Sequence, residues 1–289
     1  MANLKEIRRR IASVHGTQKI TRAMKMVAAA KLRKAQEHAE SFRDYSRLMS
    51  EVLAEVASDA EEDAHSLLIR REPEKALVLV ISSDRGLCGG FNSNLNRLVA
   101  AELNSGRVHT DLSVVGRKAK GYFEHRMVKI QTYYDEVFDD LDYDKAASIA
   151  AELAKLYENG DYDMIYLAYN EMVSVVSQVP TLVQLLPVAL PEKKKVEAGE
   201  LASPVFIFEP SESELLAALL PRYVEVKVFS ALLESAAAEH AARMSAMETA
   251  TNNAQDMIDS LTLVYNRARQ SAITSELMDI VGGAEALND

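Results

Sequence analysis

RYVEVKVFSALLESAAAEHAARMSAMETATNNAQDMIDSLTLVYNRARQSAITSELMDIV, residues 222–281, runs for 60 residues with neither proline nor glycine. Nothing in it breaks a helix, and at about 1.5 Å per residue it predicts one roughly 90 Å long. Just upstream, Pro210 is followed by Ser211 and Glu214 at capping-box spacing, which marks a helix start. Pro221 is expected to interrupt that helix, and Gly282 and Gly283 to end it. The apolar seam runs through Val224, Val228 and Leu232 into Ala238, Ala242 and Ala246, then Met257, Leu261, Val264 and Ala268. It is narrow, as in a coiled coil, and the small residues at its centre would let two helices approach closely.

The other end of the chain reads the same way. From residue 3 to about 57 there is no proline and one glycine, Gly16. Leu4, Ile7, Ile11 and Val14, then Met24, Ala28, Leu32, Ala35, Ala39, Phe42, Met49, Leu53 and Val56, recur mostly three or four apart. The pattern slips between His15 and Lys19. The expected helix is roughly 80 Å long. Neither long helix can bury its stripe alone, so the two are expected to pair antiparallel, with an ordinary helix bundle as the alternative.

Between them, strand and helix signals alternate. Residues 76–82 (ALVLVIS), 111–116 (DLSVVG), 163–169 (DMIYLAY) and, more weakly, 127–133 read as strands; 92–104, 117–125 and 145–157 read as helices. Residues 173–185 add a further β-branched stretch, and 191–199, with Lys193, Lys194 and Lys195, read as a solvated loop. The expected fold is therefore α/β: a Rossmann-like open sheet in residues 75–210, flanked by coiled-coil helices in 1–57 and 211–289.

Composition narrows the function. No apolar run approaches the length of a membrane span, and the basic, amphipathic N-terminus reads as mature structure, its helical pattern continuing for another forty residues. One cysteine, Cys88, excludes an intramolecular disulfide and suits a reducing compartment. Net charge is −10, yet residues 1–47 hold 12 Lys or Arg against 4 Asp or Glu; this leaves +8 there and −18 on the other 242 residues. A basic end on an acidic chain calls for an acidic partner, and both nucleic acid and acidic protein loops meet that description. The positive charges flank an apolar seam instead of replacing it, and aromatics are scarce, which argues against a nucleic-acid reader.

Chemistry is sparse. SDRGLCGGFN, residues 83–92, places Gly86, Gly89 and Gly90 in a strand-to-helix turn that could cradle a phosphate. The spacing is not GxGxxG, no Lys-Ser/Thr follows, and Arg117 and Lys118 stand where a ribose-binding carboxylate belongs. A structural turn is the expected reading, with a nucleotide-dependent enzyme as its rival. Cys88 lacks a nearby histidine, the six histidines (15, 38, 65, 109, 125 and 240) lack metal-ligand spacing, and the acidic stretch 135–144 lacks the pattern of an EF-hand loop. No catalytic residue, metal or cofactor is expected.

Four stretches carry a resemblance. KEIRRRIASV with TQKITRAMKMVAAAKLRKAQ (17–36), SDRGLCGGFN (83–92), SQVPTLVQLLP (177–187), and ARMSAMETATNNAQDMI (242–258) continuing into LVYNRARQSAITSELMDIVGGAEAL (263–287) resemble, in order, the signatures of the gamma-subunit family of F-type ATP synthases. The resemblance implies a non-catalytic rotor shaft, one copy per complex. Its coiled coil would enter a ring of alternating alpha and beta subunits, and its α/β domain would touch the epsilon subunit and the membrane c-ring. It implies a peripheral protein on the cytoplasmic face of a bacterial membrane, because no cysteine-pair insertion or transit peptide is evident. It also implies partner contacts. Met24 and Lys25 would meet acidic lever loops; Arg269, Gln270 and Thr274 would form a polar set on the facing stretch of the C-terminal helix. Arg243 and Glu209 would lie toward the lower end, near the rotor ring.

Overall fold

The computed structural model describes residues 4–57, 65–106, 108–189 and 212–285. In chain order the elements are α1 (Leu4–Val56), β1 (Lys75–Ile81), α2 (Phe91–Ser105), β2 (His109–Val115), α3 (Arg117–Glu124), β3 (Ile130–Tyr134), α4 (Tyr143–Glu158), β4 (Met164–Met172), β5 (Gln178–Leu186) and α5 (Glu212–Glu285). The chain divides into two compact units. One is Ala29–Ala242; the other joins Met1–Ala28 to Arg243–Asp289, so α1 and α5 each contribute to both.

The larger unit is built on a five-stranded sheet of order β3-β2-β1-β4-β5. β1 pairs parallel with both β2 and β4, and β2 with β3, while β5 returns antiparallel on β4. β1 is apolar on both faces, as a central parallel strand must be. Leu77, Leu79 and Ile81 face a core shared with α4 and with the stretches of α1 and α5 in this unit (Met49, Leu53, Val56, Leu220, Val224, Leu232). Val78 and Val80 face a second core under α2 and α3, with Leu95, Val99 and Phe123. Asp142 caps α4, its carboxylate accepting Lys145 N–H at 2.8 Å, so the acidic loop has a structural use.

Several boundaries differ from the sequence reading. β3 starts three residues later than expected, because the amides of Arg126, Met127 and Val128 are taken up in the turn that closes α3. The stretch 173–185 resolves into a hairpin turn followed by β5, whose Pro180 is tolerated on an edge strand. Pro221 does not interrupt α5; it sits inside the helix. Its lost hydrogen bond costs about 3 kcal/mol, but Leu220 and Val224 on either side are fully buried and hold the helix on the core. Gly282 and Gly283 do not end α5 either, since neither adopts the left-handed conformation of a terminating glycine, and the helix runs on to Glu285. At 53 and 74 residues, α1 and α5 would measure roughly 80 and 110 Å. Ser211 and the Lys193–Lys195 loop lie outside the described residues.

The smaller unit is an antiparallel helix pair. Arg8 meets Tyr265, Gln18 meets Gln255, Thr21 meets Thr251 and Lys25 meets Glu248, so each pair of numbers totals 272 or 273. In this unit the buried and half-buried positions of α1 include Leu4, Ile7, Ile11, Val14, Gln18, Thr21, Lys25 and Ala28, alternately three and four apart, with Met24 half-buried beside them. The facing set is Met247, Thr251, Ala254, Ile258, Leu261, Tyr265, Ala268 and Ala272, with the same alternation. The apparent slip near residue 18 is therefore no slip: the heptad continues with polar residues in the seam, Gln18 and Thr21 being only 9% and 8% exposed. The seam predicted on α5 was one residue out at two places. Met257 and Val264, 54% and 45% exposed, face solvent beside the buried Ile258 and the half-buried Tyr265.

Candidate functional site

The glycine-rich turn after β1 is where an open α/β sheet of this order would bind a ligand, since β1 has neighbours on both sides whose connections leave in opposite directions. Beside it, the first backbone donors of α3 are engaged within the protein. At the start of α3, Arg117 N–H donates to Asp84 Oδ1 (3.0 Å), Lys118 N–H to the Ser83 carbonyl (3.0 Å) and Ala119 N–H to Ser82 Oγ (2.9 Å). Ser82 Oγ in turn donates toward the carbonyls of Val115 (3.1 Å) and Gly116 (3.3 Å). Gly116, at φ +90°, is obligatory, because a Cβ would stand 2.2 Å from the Ser82 carbonyl oxygen.

The turn leading into α2 is closed by its own side chains as well. Asn92 accepts from Ser83 N–H at 3.1 Å and donates to Ser83 Oγ at 2.8 Å and Cys88 Sγ at 3.2 Å. Above it lies α5: Ser235 Oγ donates to the Ile81 carbonyl at 3.3 Å, and Ala238 and Ala242 pack with Cys88, Phe91 and Met172. The crevice is filled by the protein's own helix. Sequence reasoning assigned Ala238 and Ala242 to close helix–helix approach; instead, their small side chains let α5 settle against the turn. Leu87, at the apex, is held at φ 63° and is 64% exposed.

Elsewhere in this unit, a cleft of about 810 Å3 opens between β4–β5 and its stretches of α1 and α5, lined among others by Gln36, Arg43, Tyr169, Tyr223, Lys227 and Glu234. Burial, and then the neighbouring Glu171, raise the proton affinity of the Glu234 carboxyl, while a hydrogen bond from the Met172 backbone N–H opposes the shift. Burial, then Glu234 and Glu171, push Tyr169 up to about 12. Neither the cleft nor the turn brings a nucleophile and a base together. Among the described residues no three His, Cys, Asp or Glu side chains gather into a metal-holding group, and no helix is long and apolar enough to cross a membrane.

The expected contact residues fall mainly in the helix pair. Met24 is half-buried, and Lys25 is joined to Glu248 at 2.6 Å. Arg269, Gln270 and Thr274 are exposed, Thr274 Oγ1 donating to the Gln270 carbonyl at 2.9 Å. These two sets do not face each other. The antiparallel register puts Glu248, not Arg269, opposite Lys25, and Arg269 lies 21 positions beyond Glu248, roughly 30 Å further along the helix. Arg243 is not near the end of α5 that begins at Glu212; it is the first α5 residue of the helix pair. Glu209 lies outside the described residues. Beyond about residue 269 the register offers no described α1 residue, and Ile273, Leu277, Met278, Ile280 and Val281 are all exposed. Leu287 lies outside the described residues.

A family model described as ATP synthase matches residues 3–287. The chain is 48% identical over 290 residues to the ATP synthase gamma chain of Geotalea daltonii, covering 99% of both, and 50% identical over 293 residues to that of an Anaeromyxobacter species, covering 99% of this chain and 100% of the relative. Among solved structures it resembles a chain in the central stalk and c-ring of the Tetrahymena thermophila mitochondrial ATP synthase, at 27% identity and a TM-score of 0.61, covering 80% of this chain and 99% of that one. A chain of the Euglena gracilis mitochondrial ATP synthase rotor, 18% identical with a TM-score of 0.68 over 93% of this chain and 98% of that one, shares the fold.

Proposed function

The chain belongs to the ATP synthase gamma-chain family, and from that premise we propose that it is the central rotor shaft of an F-type ATP synthase, non-catalytic itself. It carries torque between a membrane c-ring driven by proton flow and the alpha and beta subunits that make ATP. An asymmetric helix pair turning inside their ring presents each catalytic subunit with a different face, so each can hold a different nucleotide affinity and rotation exchanges the states. The observation that carries this reading is the apolar end of α5, which outruns the described part of α1. Five large apolar side chains exposed on one helix end need a surrounding sleeve, and a ring of partner subunits supplies one.

Within this reading Met24 and Lys25 meet acidic loops of the ring, where a partner carboxylate competes with Glu248 for the Lys25 ammonium. Arg269, Gln270 and Thr274 meet the ring further along α5, and Arg243 and Glu209 complete the set of partner contacts. The α/β unit meets the epsilon subunit and the c-ring. The protein sits peripherally on the cytoplasmic face of a bacterial membrane, as one copy per complex. Gentle purification of the tagged chain should bring down nucleotide-binding subunits in molar excess over it. Recovery of the chain alone, or bound to nucleic acid with an affinity that falls steeply with salt, would overturn the assignment.

A further inference from the structure

The glycine-rich turn is organised by its own side chains. Ser83, Cys88 and Asn92 form one hydrogen-bonded knot. Asn170, buried at the end of β4, reaches across to the Phe91 carbonyl (3.4 Å). What this knot supports is α5: Ser235 is hydrogen-bonded to the last residue of β1, and Ala238 and Ala242, one and two turns on, seat against Cys88 and Phe91. Both alanines are buried, and a side chain as large as leucine there would lift the helix off the turn.

We propose that this turn is a mechanical joint: a socket that fixes the α/β unit to α5, so that force applied to one is delivered to the other without slip. Three contacts define it: a polar peg at Ser235 on the end of the central strand, a close-packed floor of Cys88 and Phe91, and a brace from Asn170. Side chains no larger than about cysteine are needed at 238 and 242 because the backbone of α5 must approach the turn. The crevice that a sheet of this kind offers to a ligand is here used to grip a helix. The inference rests on the rotor-shaft reading for its purpose, though the joint itself is a property of the chain alone.

The buried Cys88 thiol reports on the joint. In the isolated full-length chain, Ala238→Leu should raise the rate of Cys88 alkylation by a small maleimide at least tenfold over the unaltered chain. An unchanged rate would mean that α5 does not seal the turn, and the socket would fail whether or not the chain is a rotor. In the assembled complex, a cysteine placed at Ala242 or Ala238 and oxidised onto Cys88 should leave proton-driven ATP synthesis at the level of the same complex after reduction, because a joint that never opens is unaffected by being welded. Synthesis lost on oxidation and regained on reduction would show that the α/β unit has to move on α5, and would overturn the proposal. If Ala238→Leu fails to fold, the welded variant still decides the matter. Complexes that make ATP equally well without this chain would overturn the rotor reading and leave the alkylation result standing.

Discussion

The two units of this chain are stabilised in opposite ways. The α/β unit has two dry cores, one on each face of the sheet, in which Leu77, Leu79, Val80 and Ile81 are fully buried. The helix pair has a single narrow seam, along which three polar or charged contacts follow one another: Gln18 with Gln255, Thr21 with Thr251, and Lys25 with Glu248. Burial of apolar area is the main source of stability, so the first unit rests on its two cores and the second on a thin seam, with Met26, Ile273 and Ile280 among its exposed apolar residues.

The contrast predicts its largest effect in core truncation. Leu79→Ala removes a fully buried side chain from the central strand and should cost about 2–5 kcal/mol, seen as a large drop in the melting midpoint of the α/β unit by circular dichroism. Leu261→Ala, at a half-buried seam position, should cost only about 1 kcal/mol. Equal losses would mean that the seam is as well packed as the sheet, and the contrast would collapse.

Next in size is a proline in α5. Pro221 is tolerated among buried neighbours in the α/β unit. Ala246→Pro would put the same defect, worth about 3 kcal/mol, into the helix pair, where the thin seam cannot hold a kinked helix straight. Assembled complexes carrying it should keep nucleotide binding on the ring and lose proton-driven synthesis far more than ATP hydrolysis, measured in one preparation of reconstituted vesicles. Unchanged synthesis and hydrolysis would show that a straight α5 is not part of the transmission.

Glycines separate the units by sign. Gly116→Ala forces a Cβ to 2.2 Å from the Ser82 carbonyl oxygen at a φ of +90° and should destabilise by about 2 kcal/mol. Gly16 lies inside α1 with no atom within 4 Å of where a Cβ would go, so Gly16→Ala should stabilise the helix pair by about 0.5–1 kcal/mol. Thermal melts of the two variants should move in opposite directions, and a fall for Gly16→Ala would point to a needed bend in α1.

Much of this contrast was legible in the sequence, for identifiable reasons. Apolar runs such as ALVLVIS and the long spans without proline or glycine are local signals, and they gave the alternating sheet and the two end helices. The misreadings came where tertiary contacts override local preference. Pro221 sits in a helix because buried neighbours hold it. Gln18 and Thr21 hid the heptad because polar residues can occupy a seam when each finds a partner across it. Ala238 and Ala242 were assigned to the wrong neighbour because periodicity shows which face of a helix is buried, not what buries it. The glycine-rich turn reads as structural from its missing lysine and carboxylate, but its packing against α5 leaves no local mark.

The smallest expected effect tests the buried side of the contrast through a single charge. Glu234 is half-buried in the α/β unit beside Glu171, and burial and then that neighbour raise its pKa above the ordinary carboxylate value. A carboxyl whose folded pKa is raised is favoured in its neutral form by folding. Its contribution is fully present below the unfolded pKa and is lost as pH rises through the folded value, so near neutrality the ionised side chain is a small burden. Glu234→Gln removes the charge and keeps an oxygen that can accept the Met172 backbone N–H. The variant should melt roughly 1–3 °C higher than the unaltered chain at pH 7, with the gap closing as pH falls toward 4. Glu248 in the helix pair is exposed and bonded to Lys25, so Glu248→Gln should give no gain and at most a slight loss at neutral pH. A Glu234→Gln gap that stayed constant from pH 4 to 8 would mean that its origin is not the buried charge, and a gain from Glu248→Gln would show that carboxylates in the two units are not in different environments after all.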